Sequence, residues 1–191
     1  MGARARRRNS MVALALLAGA GVAAGALPGG LLAQGTSGRL ARAAVVNPAG
    51  ETIGAVRFER RGKSRALRVT VVVRKLSPGF HGLHVHAVGT CDAPTFASAG
   101  PHLNPRGGGH PDHAGDMPGL LVTRGGKAEA RFVTDRFTIA DLRDADGSAV
   151  IVHALPDNHA NIPEARYDPD PDEMTLATGD SGGRVACGRV R

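Results

Sequence analysis

The chain has 191 residues, 42% of them hydrophobic but only 3% aromatic, with no tryptophan and a formal net charge of +7. Much of that charge lies at the start: without Arg4, Arg6, Arg7 and Arg8 the 24 basic residues become 20 against 17 acidic, a net of +3. A balance so near neutral does not imply a nucleic-acid partner, and the scarcity of aromatics calls for an aliphatic core.

Residues 1–34 read as an export signal, with a basic beginning, an Ala/Leu/Gly-rich apolar run and small residues near its end. Arg7-Arg8 allows a twin-arginine route, and no cysteine stands near the end of the run to accept a lipid. Met11 to Ala33 is long enough to span a bilayer if retained. Its glycines and Pro28 make a weak spanning helix, so cleavage is expected and membrane association depends on its failure. The expected location is outside the cytoplasm: extracellular, cell envelope or periplasm. Residues 35–191 remain, about 155 residues, enough for one domain with its own core.

From Leu40 the chain reads as short strands. RAAVV, TIGAVRFER and ALRVTVVVRKL alternate apolar and polar residues between turn residues. A fourth strand opens after Pro78-Gly79, and LLVTR, ARFVTDRF, SAVIVHAL and RVACGRV complete eight. With no convincing helical period, the fold class is all-β, an eight-stranded antiparallel Greek-key sandwich or flattened barrel with two long functional loops.

The stretch Phe80 to Asp116 holds six of the eight histidines and one of the two cysteines. His84 and His86 are two apart in a strand, so they share one face and can reach one metal. His102, His110, His113 and Asp116 follow in Gly/Pro-rich sequence without a helical or strand period. Three imidazoles and a carboxylate suit a closed tetrahedral zinc site, and coordination would order a loop that has little apolar content of its own.

HGLHVHAVG, SAGPHLNP, HAGD, VIVHALPD and TGDSGGRVACGRV, in that order over roughly residues 40 to 191, resemble the copper, zinc superoxide dismutase family in its secreted bacterial form. The resemblance implies a sandwich fold, one copper and one zinc per chain, and dismutation of superoxide to dioxygen and hydrogen peroxide. Copper would be held by His84, His86, His102 and His153, and zinc by His102, His110, His113 and Asp116, with His102 bridging both metals and passing a proton. Asp157 would accept hydrogen bonds from His84 and His110, fixing their rings. Arg184 would dock the superoxide anion beside copper. His110, His113 and Asp116 are crowded together by threes, and Asp112 stands among them as a competing carboxylate.

His81 matches a structural position and is not expected to be a ligand, and His159 is read as a packing or exposed side chain. Cys91 and Cys187, the only thiols, are expected to pair after export. That bond would tie the metal loop to the last strand and hold Arg184 near the copper mouth. Asp168, Asp170, Asp172 and Glu173 would repel superoxide if they lined that mouth, so they are expected to face away, leaving Arg184 and Arg166 to set the local field. The alternative function is an exported copper/zinc-binding protein without turnover. No interface is legible, which leaves monomer or homodimer open.

Overall fold

The computed structural model describes residues 38–160 and 170–191. The export-signal segment and the residues Arg166 and Asp168 lie outside the described residues. Among those described, no helix is long and apolar enough to cross a membrane.

The described residues form nine strand segments: β1 (Leu40–Val46), β2 (Thr52–Arg60), β3 (Leu67–Arg74), β4 (Gly79–His81), β5 (Leu83–His86), β6 (Leu120–Val122), β7 (Lys127–Thr134), β8 (Ala149–His153) and β9 (Arg184–Arg189). Seven form one antiparallel sheet in the order β5-β8-β9-β1-β2-β3-β7, and β4 pairs with β6. The meander β1-β2-β3 is followed by strands that return beside non-consecutive neighbours, β7 against β3, β8 against β5 and β9 against β1, as a Greek key requires.

Gly82 divides the fourth expected strand in two. Its N–H donates to the Leu155 carbonyl (2.8 Å) and its carbonyl accepts from His153 N–H (2.9 Å), so β4 and β5 turn to different partners.

The inner face is built by period-two alternation. Ala41, Ala43 and Val45 of β1, Val56 and Phe58 of β2, and Leu67, Val69, Val71 and Val73 of β3 are buried, with Leu83, Val85, Val150 and Val152 opposite. Each fully buried aliphatic side chain contributes about 1.5–3 kcal/mol. The core is aliphatic but not wholly so: Phe58 and Phe137 meet edge to face at 5.8 Å. Phe96 anchors a second cluster with Ala99, Ala149, Ile151 and Cys187.

A short helix, α1 (Glu173–Thr178), escapes a reading based on hydrophobic period because it has only 6 residues. Its ends are nonetheless written in the sequence. Asp172 caps it by accepting from Thr175 N–H (2.8 Å), and Gly179 closes it in the left-handed region.

Candidate metal centre

Alternation along β5 sends Leu83 and Val85 into the core and His84 and His86 to the opposite face. That face is not open to water, since all four residues of β5 are buried. One edge of β5 pairs with β8. Along the other edge runs the loop 102–117: Leu103 N–H donates to Val85 O (2.8 Å), Val85 N–H to Gly115 O (2.9 Å) and Gly115 N–H to Leu103 O (2.8 Å). A side chain at residue 115 would collide with the Val85 carbonyl, so glycine lets the loop lie flat against the strand. The loop is thereby fastened by backbone bonds as well as by its imidazoles.

Two donor sets result. His84, His86, His102 and His153 form one, and His102, His110, His113 and Asp116 the other, with the ligand atoms of each set within 4.8 Å of one another. His102 belongs to both: Nδ1 lies 2.7 Å from Asp116 Oδ1, while Nε2 is buried without a hydrogen-bond partner. His110 Nδ1 and His113 Nδ1 converge on Asp116 Oδ2 at 3.1 and 3.3 Å. In the first set His86 Nε2 and His153 Nε2 face each other at 3.4 Å.

The far side of most rings is held by the protein. His86 Nδ1 donates to Gly100 O (2.8 Å) and His153 Nδ1 to Gly182 O (3.1 Å), which leaves Nε2 of each as the inward lone pair. His84 Nε2 and His110 Nε2 donate to the two oxygens of Asp157 at 2.6 and 2.8 Å, leaving Nδ1 of each directed inward. Asp157 also accepts from His159 N–H (2.7 Å). Such partners fix tautomer and ring orientation in metal sites. Gly179 sits so close that a side chain there would strike Asp157 and His110. Its φ of 65° suits glycine as well.

His84 Nδ1, His102 Nε2, His110 Nδ1 and His113 Nδ1 are buried with no hydrogen-bond partner. An orphaned buried polar atom costs about 1–3 kcal/mol, and four clustered at two points fit metal coordination. Four imidazoles suit Cu(II), and three with a carboxylate suit tetrahedral Zn(II).

Electrostatics agree with the donor role of His84, His86 and His153. Burial pushes the pKa of His84 down, that of His86 well down and that of His153 to about 3, so these imidazoles are neutral donors at neutral pH. Asp116 and Asp157 are held well below the usual carboxylate range: burial alone would raise them, but hydrogen bonds from the histidines outweigh it. His110 is raised to about 9, because Asp116 and Asp157 on its two nitrogens overcome the opposing effect of burial.

These shifts make a prediction for metal-free protein. The unfolded chain takes up a proton on each histidine near pH 6.5, whereas folded His153 resists until about 3, so stability falls as pH drops from 6.5 towards 3. His110 acts in the opposite sense: its pairing contributes fully below 6.5 and is lost as pH rises through about 9. The urea midpoint of metal-free protein should therefore peak near neutral pH, and a midpoint rising steadily down to pH 5 would contradict this balance.

Cys91 and Cys187 form a disulfide with Cα atoms 5.7 Å apart. Three residues before Cys187, Arg184 sends its guanidinium fork to two carbonyls of the loop, Nη1 to Phe96 O (2.7 Å) and Nη2 to Gly100 O (2.7 Å). Its charge is among the influences that lower His86 and His153.

His81 is buried but belongs to neither donor set, with Nδ1 2.6 Å from His153 O and Nε2 2.9 Å from Ser77 O. Asp112 turns outward to pair with Arg136 at 3.1 Å and stays out of the cluster. His159 is half exposed and contributes through its backbone N–H, although its ring also stands 3.7 Å from Asp157. The carbonyls of Gly100, Gly182 and Phe96 are site components that no side-chain pattern announces.

A curled antiparallel sheet whose face carries two donor sets joined through one imidazole defines a two-metal β-sandwich protein. The profile of the family described as copper/zinc superoxide dismutase (SODC) matches residues 52–190, and the chain belongs to that family. It is 43% identical over 159 residues to "Superoxide dismutase [Cu-Zn]" of Mycobacterium tuberculosis, an alignment covering 75% of this chain and 66% of the relative's length. Against "Superoxide dismutase [Cu-Zn] 2" of Brassica juncea it is 36% identical over 153 residues, covering 77% of this chain and 94% of the relative. Among solved structures, a SOD-like protein from Bacillus subtilis superposes with a TM-score of 0.63 at 28% identity, over 77% of this chain and 95% of the other.

Proposed function

We propose that the protein dismutates superoxide, converting two superoxide anions and two protons to dioxygen and hydrogen peroxide. The observation that carries this reading is the shared imidazole of His102, presented to both donor sets. We assign copper to His84, His86, His102 and His153, and zinc to His102, His110, His113 and Asp116. Copper supplies the one-electron exchange of both half-reactions, and zinc has no redox chemistry of its own.

The chain's own residues do the rest. Buried His102 Nε2 is the atom at which the protein can hold one proton per cycle and hand it on. Asp157 keeps His84 and His110 in the donor tautomer through its two oxygens. Arg184 is charged at any physiological pH, and its fork is fixed by two carbonyls, so it offers a stationary cation to an arriving anion. A metal-binding protein without turnover would have no use for such a cation beside the first donor set.

We also place the protein outside the cytoplasm. The support is the basic-then-apolar layout of residues 1–34 together with the disulfide, which persists in oxidising compartments.

Superoxide disappearance measured with purified metal-loaded protein, with and without a chelator, tests the activity, and elemental analysis should return one copper and one zinc per chain. A single metal equivalent would remove the shared-site assignment. Rising ionic strength should slow the reaction, since exposed charges interact little beyond about 8 Å in physiological salt. Arg184→Glu should slow it by roughly tenfold or more, and Arg184→Lys by less. Of the nearby acids, Asp172 is committed to capping α1. A rate that rises with salt would show that Asp170, Asp172 and Glu173 govern approach instead.

A further inference from the structure

The outer face of the sheet, from β9 across β1, β2 and β3 to β7, carries a line of arginines that the chemistry above does not use. Strand register sets it out. Arg42 of β1 stands opposite Arg57 of β2, Arg57 opposite Thr70 of β3, and Thr70 opposite Arg131 of β7. At the other end Arg42 exchanges backbone hydrogen bonds with Arg191 (2.9 and 2.8 Å), which extends the line by one position. There Arg42, Arg189 and Arg191 line a shallow groove of about 320 Å³ beside the Cys91–Cys187 disulfide. Arg42, Arg57, Arg131, Arg189 and Arg191 are all exposed, while their strand neighbours Ala41, Ala43, Val56, Phe58 and Val190 are buried.

Among the described residues, strands β1, β2, β3 and β7 place two acids on this face. Glu59 pairs with Arg57 at 2.7 Å, and Glu129 stands opposite Val72, outside the line. Among the described residues no salt bridge engages Arg42, Arg131, Arg189 or Arg191. Arg57 opposite Arg42 thus already has a counter-charge in Glu59, while Arg42, Arg131, Arg189 and Arg191 stand ready for an external one.

The geometry points to a binding surface for a linear anionic polysaccharide. Neighbouring strands lie about 4.8 Å apart, so the line presents cations over about 19 Å at a spacing that suits successive sulfate, phosphate or carboxylate groups. Guanidinium forks match such oxyanions in bidentate fashion. Strand twist of roughly 20–25° per step turns the line through roughly 60–75° between β1 and β7. A flat bilayer cannot meet both ends of such a line, and the near-neutral charge balance of the chain without its first residues does not call for duplex nucleic acid. Single-stranded nucleic acid binds through aromatic platforms, and none stands in the line. A flexible polyanion without bases meets all these conditions.

The test is titration of the full chain with a heparin-derived octasaccharide in about 0.1 M salt, near one Debye length of 10 Å. Arg42→Thr/Arg57→Thr/Arg131→Thr is compared with Arg61→Thr/Arg65→Thr/Arg124→Thr, which removes the same charge from exposed turns. Copper and zinc content reports that both variants are folded. The expected result is saturable binding by the unmodified chain, weakened at least tenfold in the first variant and no more than about twofold in the second, with turnover in the absence of polymer unchanged in both. Three results would each overturn the inference: no binding by the unmodified chain, equal losses in the two variants, which would mean net charge alone, or tighter binding to vesicles rich in anionic lipid than to the octasaccharide.

Discussion

Asp157→Ala is expected to lower zinc affinity by about 10- to 100-fold and to weaken copper binding in the same protein, because one carboxylate orients a ring in each donor set. Its two oxygens accept from His84 and His110, and a third bond comes from His159 N–H. Alanine leaves two buried imidazole N–H groups unanswered, at about 1–3 kcal/mol each, and frees both rings to turn their donor nitrogens away from the metals. Asp157→Asn is the sharper variant. Its single carbonyl oxygen can answer one imidazole, while its amide N–H₂ confronts the N–H of the other, so the two sites should separate, one nearly kept and one lost. Competition against a chelator of known affinity, run for each metal, reads both. If alanine weakened one metal and left the other untouched, the coupling described for Asp157 would be wrong.

The second large effect belongs to the disulfide. Cys91 and Cys187 are 96 residues apart, and the chain-entropy estimate for a loop of that size is roughly 4–5 kcal/mol. Cys91→Ser should therefore lower the free energy of unfolding by several kcal/mol in denaturant titrations. It should also reduce turnover in protein that still carries both metals, since β9 would lose its tie to the loop that Arg184 grips. Thiol labelling of the unfolded, unreduced natural chain should find no free cysteine. Two reactive thiols, or a stability change below about 1 kcal/mol, would remove the disulfide from the account of how Arg184 is held.

Much of this was legible before any coordinates. The alternation in RAAVV and RVTVVVR is a direct image of a half-buried strand, and the His84-Val85-His86 spacing placed two donors on one face for the same reason. The loop donors were legible as a set because imidazoles and a carboxylate gathered in Gly/Pro-rich sequence have little else to do. His153 and Asp157 were different. Each is a single residue in an ordinary context, and only the resemblance of VIVHALPD to a known family pointed to them. The division of the fourth strand at Gly82 was not legible, because it depends on which strands lie on either side. The six-residue α1 is too short to show a period, yet Asp172 and Gly179 marked its ends. Least visible of all were the backbone acceptors, since a carbonyl is present at every position and gains a role only from what the fold brings to it.

Gly100 shows what such an acceptor can do. Its carbonyl oxygen receives both the Arg184 guanidinium and His86 Nδ1, at 2.7 and 2.8 Å. The cation that would guide the anion inward and the imidazole that would face it are thus referenced to one point on the backbone. A displacement of that point cannot alter one and spare the other, so the proposed way in and the proposed electron-transfer centre would share a single mechanical coordinate. Changes to the loop between Phe96 and Gly100 would act on capture and chemistry together, however far from either metal they were made.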